Sequence, residues 1–287
     1  PQSQTPADRG PQAAPGGEAR ASGYAYYALF VLVLANFFNY VDRHVLSIVG
    51  QRVKTDLELS DAQLGFLLGT AFAVFYGVVG IGMGRIADAL SRTKLMGLGL
   101  AVWSGMTALS GLAGNFAGLA AARLGVGIGE ATANPCSHSL LSDYFPARNR
   151  SAVMATYLLG VHLGSAASLA GGGLLLEHWS TLCRVLPGDA CSVADWRAVF
   201  FITGVPGLLL AALIATLREP ARHAPPDPRG VVRIVTDEMS AAIPPFTLFN
   251  LHQVGRSRAV IRNLMLAAGL TLAAIALSAG VGDWPQW

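Results

Sequence analysis

The stretch "ASGYAYYALFVLVLANFFNYVDRH" (residues 21–44) decides how this chain is read. It runs from Ala21 to Val41 without an Asp, Glu, Lys or Arg, then sets Asp42, Arg43 and His44 side by side. A helix rising 1.5 Å per residue needs about 20 such residues to cross roughly 30 Å of hydrocarbon. Comparable uncharged runs recur at 62–84, 95–122, 151–176, 198–217 and 263–282. A further span is expected between 115 and 146, where the apolar pattern continues past Arg123 and Glu130. Mean hydropathy is +0.47 and 13% of residues are charged, against about 25% in soluble domains. The fold class is therefore an all-α polytopic membrane protein with seven candidate helices.

Charge placement orients the chain. With residues 1–25 on the cytoplasmic side, fourteen Lys and Arg fall in inner segments, four (Arg52, Lys54, Arg184, Arg197) in outer loops, and two within spans. That asymmetry puts the amino terminus inside and predicts a multi-pass protein of a cell membrane, in bacteria the inner one. The net charge of +3 carries no nucleic-acid signature, and the expected partners are the bilayer and a small amphiphilic or anionic substrate bound by a monomer. Cys136 falls in the fourth span. Cys183 and Cys191 share one outer loop across a Pro187-Gly188 turn, where a disulfide or two free thiols are both open. No cofactor and no metal site is expected.

Four segments follow. Residues 1–20 are rich in Pro, Gly and Ala and read as a disordered tail rather than a cleavable signal. Residues 21–217 form a six-helix bundle. Residues 218–261 begin with the proline-rich, charged "LREPARHAPPDPRG" and read as a cytoplasmic linker; Val231, Ile234, Val235, Met239 and Ala242 suggest an interfacial helix within it. Residues 262–287 read as the first helix of a second, truncated bundle. The layout suggests a carrier, with a self-sufficient seven-helix protein as the alternative.

Ionised groups inside a bilayer cost at least about 2.5–3.5 kcal/mol each on insertion scales and are usually paired and functional. If span one ends near Gly50, Asp42 lies about 12 Å below the outer surface; Arg123, in span four, lies about 10 Å below it. Glu130 follows Arg123 by almost two turns and shares its face. The expectation is an Asp42–Arg123 pair on a central cavity, with Glu130 deeper on the same wall. Desolvation favours a neutral carboxyl and a neighbouring guanidinium a charged one, a balance suited to a proton-coupled carrier driven by the proton gradient. Asn36, Asn39 and Arg43 lie on one stripe of span one, and Asn134 continues the polar face of span four, with His138 one turn further. The competing readings make Asp42, Arg43 and His44 interfacial anchors, or Arg123 and Glu130 a structural clamp. His44 and His138 read as hydrogen-bonding groups before proton relays. His162, between Gly160 and Gly164, marks close helix packing, as do Gly171, Gly172 and Gly173.

The loop after span two, "GMGRIADALSRTKLM" (82–96), carries Gly84, Asp88, Arg92 and Lys94. It resembles the loop 2–3 signature of the major facilitator superfamily, in which an Asp at one helix end engages its neighbour. Ala89 and Ser91 depart from the usual basic residue and glycine. "NYVDR" (39–43), "ARLGVGIGEATANP" (122–135) and "DYFPARNRSAVMATY" (143–157) resemble the spinster-like branch over about residues 26–217. The resemblance implies a twelve-helix carrier with alternating access, of which this chain holds the amino-terminal six-helix bundle, the linker and a seventh helix. It implies lysophospholipid or sphingoid-phosphate substrates, Asp42 and Glu130 in proton coupling, and Arg43 and Arg123 as charge partners or headgroup ligands. "NYVDR" also resembles the anion:cation symporter branch, which moves sugar acids. A ligand sensor or assembly module is the alternative of another class. An intramembrane enzyme built on Ser137, His138 and Ser139 is disfavoured, because no nucleophile elbow or H-E-x-x-H helix is present.

Overall fold

The structure, a computed structural model, describes residues 21–185 and 190–221, with isolated positions between 233 and 272. The expected tail at 1–20, the linker beyond residue 221 and the seventh helix at 262–287 lie outside the described residues or touch them only at those positions. Eight α-helices make six crossings, with no strand among the described residues. They are α1 (Gly23–Asp56), α2 (Asp61–Gly65), α3 (Ala71–Ala89), α4 (Arg92–Ser110), α5 (Phe116–Glu130), α6 (Ala133–Tyr144), α7 (Arg150–Leu182) and α8 (Asp195–Ala215). Helices α2 and α3 form one crossing, joined by a π-helical turn at Phe66–Thr70. Helices α5 and α6 form another.

The break between α5 and α6 has a local cause. Pro135 has no N–H for the Ala131 carbonyl, and its ring crowds that oxygen. Just before it, the Gly129 carbonyl is met by the Thr132 hydroxyl at 2.9 Å and by the Thr132 N–H at 3.2 Å. Glu130 is thus the last residue of α5, at the bend.

The surface is apolar where a soluble protein's would be polar. Leu209 is 73% exposed, Leu98 64% and Phe30 63%, as hydrocarbon-facing side chains are. Helices α1, α7 and α8 each have the length and hydropathy to cross a membrane. Span one packs on spans five and six, while span four packs on spans two and three, the neighbour pattern of two related three-helix repeats. Glycines permit the closest approaches. A Cβ at Gly160 would lie 2.7 Å from the Val33 carbonyl oxygen of α1, and one at Gly204 would lie 2.7 Å from the Ser104 oxygen of α4. Gly164 meets Phe37 in the same way, and Gly172 meets Ile48. Gly171 and Gly173 do not fit that expectation, since neither has an atom within 4 Å of its Cβ position. Gly171 instead borders an apolar groove of about 270 Å³ between α1, α7 and α8.

Helix α1 does not end near Gly50 but continues to Asp56, because its last turn is fastened by charge. Arg52 pairs with Asp195, while Asp56 accepts from the Trp196 indole N–H at 3.0 Å and lies 3.5 Å from Arg197. Asp42 therefore lies 14 residues, roughly 21 Å, from the carboxyl-terminal end of its helix. Nearby, Cys183 and Cys191 are joined by a disulfide.

Candidate functional site

Two apolar cores stack along α1. One takes Ala25 to Ala35 with Trp103, Leu140 and Tyr157; the other takes Val41 to Val53 with Leu67, Leu119 and Phe200. The charged residues sit at the joint. Asp42 is 1% exposed and Glu130 also 1%, which removes the interfacial-anchor reading for Asp42.

The expected Asp42–Arg123 pair does not form. Neither residue makes an ion pair among the described residues, and Nε and Nη1 of Arg123 and Oδ1 of Asp42 lack any hydrogen-bond partner. Glu130 pairs instead with Arg43, whose Nε lies 2.9 Å from Oε2. The reason is angular: neighbouring residues on a helix project about 100° apart. Asp42 therefore turns toward α4, and Arg43 toward α3 and α5. There Asp42 Oδ2 accepts a hydrogen bond from the Thr107 hydroxyl at 3.3 Å, and the Trp103 indole faces the same carboxylate.

Arg43 lies in an aromatic cage. Its guanidinium carbon is 4.6 Å from the Tyr76 ring centroid, 4.9 Å from Phe72 and 5.1 Å from Tyr40, distances at which cation–π attraction operates. Its side chain keeps 23% exposure while that of Glu130 has none, so the pair has one accessible partner. From Tyr76 a polar chain crosses three spans. Asn134 Nδ2 donates to the Tyr76 hydroxyl at 3.2 Å, and the Tyr157 hydroxyl donates to Asn134 Oδ1 at 3.2 Å. His138, exposed, meets the Tyr157 ring edge-on at 5.5 Å.

Two asparagines expected to line a cavity are buried in the bundle. Asn36 donates to the Tyr157 carbonyl at 2.9 Å, a hydrogen bond between α1 and α7. Asn39 faces Glu130. His44 bonds Ser165 at 3.1 Å, and His162 is exposed. Sequence reasoning missed Thr107, Trp103 and the aromatic cage; the tyrosines at 40 and 76 were the available signal.

At the α3–α4 turn, Gly84 has open space at its Cβ position and Asp88 is exposed. Arg92, expected in a loop, is the first residue of α4 and 3% exposed. It donates to Glu219 and Ser139, each at 2.8 Å, to Asp143, and to the Pro220 carbonyl at 3.3 Å. Glu219 also accepts from Ser91 and from the Thr93 N–H and hydroxyl. Burial pushes the Glu219 carboxyl up, but these donors outweigh it and hold the pKa at about 2, from an ordinary 4.5.

Comparison with known proteins supplies the context. The family model described as "Major Facilitator Superfamily" matches residues 32–284. An "MFS-type efflux pump" of Mycolicibacterium smegmatis is 36% identical over 66% of this chain and 41% of its own length. A "Probable L-galactonate transporter" of Escherichia coli is 31% identical over 64% and 37%. A crystal structure of a bacterial homologue of the human lysosomal transporter spinster, inward-facing and unoccupied, superposes with TM-score 0.66 and 35% identity over 73% of this chain and 46% of that one. The chain spans less than half the length of each. A family match across most of the residues, on a six-span bundle similar to that of the spinster homologue, places this multi-pass membrane chain in the major facilitator superfamily.

Proposed function

We propose that this chain forms a six-helix bundle, residues 21–217, of a secondary transporter that works by alternating access, with proton movement coupled to substrate through Asp42 and Glu130. The observation that carries the reading is the uneven pairing of four charges inside the membrane. Glu130 holds Arg43, while Asp42 and Arg123 have no ion pair among the described residues. Protonation of Glu130 would release a caged, partly accessible guanidinium for an anionic headgroup, and a headgroup on Arg43 would in turn loosen Glu130. Each ligand then alters the affinity for the other, the reciprocity that coupling requires. Arg123 offers a second anchor. No cofactor beyond the proton gradient enters.

The proposed substrate is an amphiphile with a phosphate headgroup, such as a lysophospholipid or a sphingoid phosphate. The aromatic cage around Arg43 and kinship with the spinster homologue support it. A sugar acid or other organic anion, carried with a cation, is the second reading, favoured by identity to the L-galactonate transporter. In this proposal the protein acts as a monomer in the cell membrane, its amino terminus in the cytoplasm.

The test is flux in proteoliposomes containing the full-length protein under an imposed pH gradient. Labelled lysophospholipid and sugar acid are compared in wild type, Asp42→Asn and Glu130→Gln. Gradient-driven lipid flux lost in both variants supports the reading. Sugar-acid flux moves the protein to the second. Flux unchanged in both variants makes the buried charges structural and sinks the proposal.

A further inference from the structure

Helix α4 carries no charge after Lys94, and nothing in its sequence marks it as part of the site. Inside a helix a threonine or serine hydroxyl usually bonds the carbonyl four residues back, as Ser110 does to Met106 at 2.9 Å and Thr203 does to Val199 at 3.0 Å. Thr107 does not. Fully buried, it turns its hydroxyl outward and donates to Asp42 on α1. One turn earlier, the fully buried Trp103 presents its indole to the same carboxylate without reaching hydrogen-bond geometry. Among the described residues Thr107 is the side-chain hydrogen-bond partner of Asp42.

We infer that Thr107 is a positioning residue: its hydroxyl, with Trp103 beside it, holds the Asp42 carboxylate toward α4 and sets the pH at which Asp42 takes up a proton. The inference rests on the reading of Asp42 as a coupling carboxylate. A hydroxyl donor stabilises the carboxylate more than the neutral acid, so Thr107 acts against protonation. The charged groups that face Asp42 are Arg123 and Glu130, both from α5; α4 offers only Thr107 and Trp103, and no titratable group of α7 or α8 faces it among the described residues. With Arg123 out of ion-pair reach, the hydroxyl is the control nearest the carboxylate.

The experiment uses the full-length protein in proteoliposomes and two readouts. Infrared difference spectra follow the protonated-carboxyl band of Asp42, assigned by its loss in Asp42→Asn, as pH is varied. Gradient-driven flux is measured over the same range. Thr107→Val, which keeps the shape and removes the donor, is expected to move the midpoint of the band up by about one pH unit. Thr107→Ser should restore the wild-type midpoint, and Thr107→Ala serves if the valine variant does not fold. A midpoint unchanged in Thr107→Val or Thr107→Ala overturns the inference, as does an Asp42 band absent at every pH the protein survives. A shifted band with flux that ignores even Asp42→Asn keeps the role of Thr107 in holding Asp42 and defeats the coupling reading.

Discussion

Arg92 and Arg123 are almost equally secluded, 3% and 2% exposed, yet they live in opposite circumstances. Arg92 has two carboxylates, a hydroxyl and a backbone carbonyl around its guanidinium. Arg123 has two nitrogens with no partner among the described residues. A saturated buried cation ties helices together, and removing it strands the acids that faced it. An unsatisfied one is held at a cost that fold stability does not explain. Buried polar groups left short of partners are concentrated at the joint of the two apolar cores, in Asn39, Asp42, Trp103, Arg123 and Glu130. The network of Arg92 is where the bundle is held, and the joint is where it is poised.

The comparison can be broken by exchanging one arginine at a time. Arg92→Leu should destabilise by roughly 3–5 kcal/mol, because it removes the buried guanidinium that bridges Asp143 and Glu219; thermal unfolding in detergent reads this directly. Glu130→Gln removes the acid from a pair with one accessible partner and should cost less, about 1–3 kcal/mol, while abolishing gradient-driven flux. Removing the disulfide with Cys183→Ser and Cys191→Ser should cost about 2 kcal/mol for so short a loop and leave flux under reducing and oxidising conditions equal. Arg123→Gln should change stability by under about 1 kcal/mol yet remove most of the flux. An Arg123 variant as unstable as the Arg92 variant would erase the distinction between the two sites.

Acid sharpens the same contrast. The folded pKa of Glu219 is depressed to about 2 from 4.5. Its contribution is therefore complete above pH 4.5 and is lost as pH falls from there toward 2. Unfolding of the wild type should grow easier across that window, and Glu219→Gln, already less stable at neutral pH, should show a flatter profile.

The spans were legible because hydrocarbon imposes a rule on composition that the uncharged runs obey, and the fold class followed. Less legible was where a helix ends or bends. Span one outruns its apolar stretch because Asp195, Trp196 and Arg197, some 140 residues away, meet its charged last turn. The bend after Glu130 follows from Pro135, a local signal that apolar periodicity overlooks. The charged residues of the site were visible one by one, since charge in a membrane segment stands out. Their pairing was not, since Asp42 and Arg43 are neighbours in sequence and face different helices. Thr107 was invisible altogether, because an uncharged hydroxyl in an apolar helix carries no mark of what it touches. Arg92 was read as part of a loop motif for the same reason: its partner Glu219 is 127 residues distant.

The charges at the joint also bear on voltage. Asp42, Arg43, Arg123 and Glu130 are two of each sign, so in their ionised forms they sum to zero. A membrane potential exerts no net force on that set as a whole. One proton added to either carboxylate makes it a unit charge, on which 100 mV acts with up to about 2.3 kcal/mol if the whole field is crossed. The potential would then distinguish the protonated bundle, with no anion bound, from the unprotonated one.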